Sequence, residues 1–73
     1  MLFLFRKSNQ TLYCLGHYTL QEGLEKMQAI FRFLKQNATE FEYMTSLDGF
    51  INKTKFMVKV DGIVQEYVVI QTR

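Results

Sequence analysis

Lys53-Thr54-Lys55-Phe56-Met57-Val58-Lys59-Val60-Asp61-Gly62-Ile63-Val64-Gln65-Glu66-Tyr67-Val68-Val69-Ile70-Gln71 decides the fold. Asp61-Gly62 stands between two β-prone runs, and Asp-Gly is a favoured two-residue hairpin turn. A two-residue turn sets the register: Val60 faces Ile63, Val58 faces Gln65 and Phe56 faces Tyr67. The other face of the hairpin pairs Lys59 with Val64, Met57 with Glu66 and Lys55 with Val68. The first strand runs from Lys53 to Val60 with alternating character, the period of a half-buried strand. The second is apolar on both faces apart from Gln65 and Glu66, so it belongs in mid-sheet or under a cover.

Upstream, Glu40-Phe41-Glu42-Tyr43-Met44-Thr45 alternates acids with large apolar residues and reads as another strand, with Phe41 and Tyr43 toward the core. Leu47-Asp48-Gly49 reads as a turn. Before them lies the one helix. Thr19-Leu20-Gln21-Glu22 is a capping box, which starts the helix at Leu20. Leu20, Leu24, Met27, Ile30, Phe31, Leu34 and Ala38 fall in one apolar stripe about 120° wide, as a helix laid on a sheet requires. Asn37 ends it, because Asn tolerates the left-handed conformation. Gly23 stands where the apolar partner of a hydrophobic staple belongs, and leaves room for Tyr18 or a strand to come close.

At the start, Leu2 to Arg6 and Thr11 to Leu15 read as a hairpin joined by Lys7-Ser8-Asn9-Gln10, with Gly16 where the chain leaves the sheet. The expectation is an α+β fold in the order ββαβββ. One helix packs on one face of an antiparallel sheet of about five strands, in a single small domain over 1–73. Residues Leu15 to Glu22 are similar to the strand-to-helix junction of several small sheet-plus-helix domains, some plant DNA-binding domains among them. Those place three strands before the helix where this chain has two, so the resemblance implies no function and no site residue.

Composition narrows the function. The 73 residues carry nine basic and seven acidic side chains, for a net charge of +2, and 48% are apolar, which excludes a disordered or strongly charged tail. One cysteine and one histidine exclude a disulfide scaffold and a multi-cysteine zinc site, so no metal or cofactor is expected. The apolar start, Met1 to Phe5, precedes its charges and is shorter than a secretory signal, and no run reaches the length of a membrane helix. The expected location is therefore the cytoplasm. The Asn-x-Thr triplets at Asn9, Asn37 and Asn52 read as turn chemistry.

No catalytic set emerges. Cys14 and His17 stand three apart near a strand end and diverge unless Gly16 bends the chain. Glu40 and Glu42 share a strand face with nothing to build a cleft around them. The chain is read as a non-enzyme. A helix covers only one face of the sheet, so Met57, Val64, Val68 and Ile70 are left on the other, and Phe33 points off the helix stripe. Exposed apolar patches mark interaction sites. These five residues are the expected interface of a small non-catalytic interaction module, of the type found as accessory proteins of phages or mobile elements. The module presents an open sheet face or an edge strand to a protein partner or to itself as a dimer. The alternative is a nucleic-acid-binding domain with Arg6, Lys7, Lys53, Lys55 and Lys59 against phosphates, to which Arg73 adds.

Overall fold

The structure is a computed structural model that describes residues 1–72, so Arg73 lies outside the described residues. Five strands and one helix follow in the order β1 (Leu2–Ser8), β2 (Thr11–Tyr18), α1 (Leu20–Asn37), β3 (Phe41–Tyr43), β4 (Lys55–Val60) and β5 (Ile63–Gln71). A short 3-10 turn, Phe50–Asn52, lies between β3 and β4. The sheet order is β2-β1-β5-β4-β3, with every neighbouring pair antiparallel. The helix therefore carries the chain from one edge of the sheet to the other. The expected α+β fold and its ββαβββ order are both present.

The β4–β5 hairpin has the register set by Asp61-Gly62, with all six expected pairs in place. Asp61 (φ 48°) and Gly62 (φ 82°) both take the left-handed backbone that this turn needs. Asp61 also ties the turn to the loop after the helix. Its carboxylate oxygen accepts from the amides of Thr39 at 2.9 Å and Glu40 at 2.8 Å.

The capping box forms as read: the Glu22 amide donates to the Thr19 hydroxyl at 3.2 Å, and the Thr19 amide to the Glu22 carboxylate at 3.1 Å. These bonds satisfy two of the helix's unpaired amides and hold the Glu22 carboxyl below its usual range. At the other end the helix stops at Asn37, but not by a left-handed residue. Ala38 is extended (φ −101°), outside the helix, and the Asn37 side-chain amide donates to the Phe33 carbonyl at 2.8 Å.

The core lies between α1 and one face of the sheet. Leu2, Leu4, Met27, Phe31, Phe56, Val58 and Val69 are the largest fully buried side chains, joined by Tyr67 and Phe50. Leu20, expected on the buried stripe, is exposed. Gly23 is buried, and a Cβ there would lie 2.7 Å from Leu2 Cδ1. The strand that comes close is therefore β1.

Five local expectations are corrected. The first loop is a two-residue turn at Asn9 (φ 50°) and Gln10 (φ 67°), because β1 continues through Lys7 to Ser8. Gly16 stays inside β2, at a bulge where φ of 140° suits glycine. The third strand shrinks to Phe41–Tyr43, after which Met44 and Thr45 both donate to the Met57 carbonyl and bend the chain off the ladder. Tyr43 is about half exposed, on the rim of the core. Lys53 precedes β4, which starts at Lys55. The three Asn-x-Thr triplets fall at the first turn, the helix end and the 3-10 turn, all element boundaries.

Candidate interaction surface

The register places every side chain of the uncovered face. One row across it is His17 on β2, Phe3 on β1 and Ile70 on β5. The next is Cys14, Phe5, Val68 and Lys55. Then come Leu12, Lys7, Glu66 and Met57, and last Val64, Lys59 and Glu42. Between His17 and Lys55 at their ends, the first two rows form a continuous apolar centre. Phe3, Phe5, Met57 and Val68 are half-buried by their neighbours, while Val64 and Ile70 are 49% and 45% exposed. The Phe3 and His17 rings lie 5.9 Å apart, extending the apolar centre to β2.

Four of the five expected interface residues, Met57, Val64, Val68 and Ile70, thus share this face. Phe33 does not. It lies on α1, on the opposite side of the sheet, 64% exposed, in an open groove with Arg6, Leu15, Ile30 and Tyr67. The residues sequence reasoning missed are Phe3 and Phe5. Alternation in Leu2-Phe3-Leu4-Phe5 showed that the two pairs face apart. It could not show which pair the helix covers, because both are apolar.

The expected basic set is divided. Arg6 is on the helix side with Tyr67, and Lys53 donates from its ammonium to the Ser46 carbonyl at 2.8 Å. Lys7, Lys55 and Lys59 do share the open face. Glu66 takes two of them: its carboxylate lies 3.2 Å from Lys55 Nζ and 3.4 Å from Lys7 Nζ. Lys59 stands opposite Glu42 on β3. Among the described residues the face therefore carries three lysines against two glutamates, and it is close to neutral.

The hydrogen bond from Lys55, aided by its charge and by Lys7, holds the Glu66 carboxyl below the usual range, against the opposing effect of its partial burial. A carboxyl depressed on folding stabilises the fold above about pH 4.3 and loses that contribution as pH falls through its folded value. Glu66→Gln is expected to flatten the acid side of the stability curve while costing at most about 1 kcal/mol at neutral pH, because both lysines are about half exposed. Thermal unfolding between about pH 3 and 7 measures this, since paired carboxylates drive acid unfolding. An acid limb as steep as the parent's contradicts it.

The bulge at Gly16 brings Cys14 and His17 to one face, opposite Phe5 and Phe3. Both are exposed, on an edge strand with no cleft around them. No group of three metal-binding side chains occurs among the described residues. Glu40 and Glu42 flank Phe41 at the other edge, beside Lys59 and Gly62. No helix among the described residues is long and apolar enough to cross a membrane.

The arrangement defines a small α+β domain with a helix on one sheet face and a mixed apolar and ionic surface on the other. No family model, no curated protein and no solved structure matches the chain.

Proposed function

We propose that this chain is a non-catalytic protein-interaction domain that packs its open sheet face against a protein surface, in the first instance a second copy of itself. The observation that carries the reading is the row of Phe5 and Val68 beside the row of Phe3 and Ile70, left bare by a helix that covers only the other face. A chain this short buries only about 60% of its unfolded surface, and a second sheet layer supplies what its own core lacks. Apolar residues at the centre with Lys7, Lys55, Lys59, Glu42 and Glu66 around them follow the anatomy of protein interfaces. Mixed charge also favours a protein surface over nucleic acid, because Glu66 already holds two of the face's lysines.

Val68 is central to the face, and its neighbour across the β4–β5 ladder is Lys55. Val68→Glu places a charge at the centre of the contact and beside a lysine in the monomer. The expected result is a twofold fall in mass by sedimentation equilibrium with an unchanged circular dichroism spectrum. A folded variant with the parent's mass removes this face as the interface.

A further inference from the structure

We propose that β2 is a self-pairing edge, along which two copies join antiparallel over Thr11–Leu15 into one continuous ten-stranded sheet. This goes beyond the face contact and does not depend on it. The two edges of the sheet are unlike. β3 is three residues long, with Glu40 and Glu42 at it. Short, charged edges resist pairing. β2 is eight residues long and contains no Asp, Glu, Lys, Arg or Pro. Leu12, Tyr13 and Leu15 are exposed at 47%, 55% and 38%. Leu12 belongs to the open face and Tyr13 to the helix side, opposite Lys7 and Arg6 respectively. A strand apolar toward both sides has the composition of an interior strand, yet here it ends the sheet.

Backbone geometry gives the pairing a register. Ser8 and Thr11 flank the two-residue turn and exchange hydrogen bonds across it. The alternation of an antiparallel ladder then turns the Tyr13 amide and carbonyl inward and those of Leu12 and Cys14 outward. Centring the contact on Tyr13 uses the whole regular stretch before the Gly16 bulge. Leu12 then pairs with Cys14 of the second copy, Thr11 with Leu15, and Tyr13 with its own counterpart on the two-fold axis.

The occupant is a second copy because this edge has no ionic group to repel its own image, and like charges placed opposite one another destabilise a ladder. Pairing β2 with another copy's β3 is the alternative between copies. It would give an open chain of sheets, and the short, acidic β3 opposes it. A two-fold axis normal to the sheet also leaves both bare faces on one side. Edge pairing therefore leaves the bare faces open to a face contact.

The test uses Tyr13→Cys in a Cys14→Ser background. Across the two-fold axis the paired positions form a non-hydrogen-bonded pair, with Cα atoms about 4.5 Å apart, within disulfide reach. Under a glutathione redox buffer this variant is expected to form covalent dimers at least on the order of tenfold faster than Met44→Cys in the same background, an exposed site off the pairing edge. Equal rates overturn the proposal. Tyr13→Glu is the second measure. The new carboxylate lies on the helix side, away from the open face; it faces Arg6 within its own sheet, so the fold is retained, and it meets its own image across the two-fold axis, so it should halve the parent's mass. An unchanged mass overturns the proposal as well. If Val68→Glu leaves the mass unaltered while Tyr13→Cys cross-links, the face reading fails and the edge stands. The opposite pattern removes the edge alone.

Discussion

Phe31→Ala is expected to lower the unfolding free energy by about 3–5 kcal/mol. A domain of this length commonly has only about 4–11 kcal/mol to lose, so the variant approaches the limit of folding. The size of the effect follows from position. Phe31 is fully buried at the middle of the helix–sheet interface. Its ring meets Tyr67 edge-on at 5.6 Å and Tyr43 edge-on at 5.9 Å, so truncation removes two favourable aromatic pairs as well as buried area. The Tyr67 hydroxyl, whose pKa burial pushes up, donates to Gln65 at 3.2 Å and cannot move in to fill the space without losing that bond. Urea titration checks the figure. Phe33→Ala, two positions on and largely exposed, is the control and should change stability by no more than about 0.5 kcal/mol. Similar losses for the two variants would contradict the placement of the core.

Gly23→Val is expected to be the other severe substitution, costing about 3 kcal/mol through overpacking. On an exposed helix surface, replacing glycine by alanine gains about 1 kcal/mol from propensity. Gly23 is not on such a surface. A Cβ there meets Leu2 Cδ1 at 2.7 Å and Cδ2 at 2.8 Å, and Leu2 is itself buried, so its side chain has to shift within the core. Either the helix lifts from β1 or Leu2 leaves its rotamer. Even Gly23→Ala should therefore lose stability. Combining it with Leu2→Ala should recover part of the loss, with a coupling of about 0.5–3 kcal/mol, as expected of residues in contact. Additive losses would mean that the two residues do not compete for the same space.

How much of this was legible beforehand depended on whether a signal was local. Asp61-Gly62 determines a turn type by backbone sterics alone, so the whole β4–β5 ladder could be written down from sequence. Thr19 and Glu22 start the helix by a bond between residues three apart, and this too could be read. Alternation continues formally through Thr54 and Lys53, but the Lys53 amide turns instead to close the 3-10 turn on the Phe50 carbonyl, so the strand starts later. Phe50, buried and stacked on Phe56 at 5.2 Å, carried no periodic signal in its short 3-10 turn. Gly16 looked like an exit from the sheet and is instead a bulge, a distinction that depends on β1 pairing beyond it.

The surface divides in the same way. Met57, Val64, Val68 and Ile70 could be grouped because one hairpin's alternation relates them. Phe3 and Phe5 join them only through the β1–β5 ladder, which links opposite ends of the chain. Arg6 and Lys7 are adjacent in sequence but on opposite faces, and only the long-range pairing shows which one belongs with Lys55.

The most direct test of the central claim is sedimentation equilibrium of the parent and Val68→Glu at matched concentrations in physiological salt. A self-associated parent and a folded variant of half its mass are expected. A parent that sediments as a monomer, or a folded variant that keeps the parent's mass, would contradict the assignment of the open sheet face as the interaction surface.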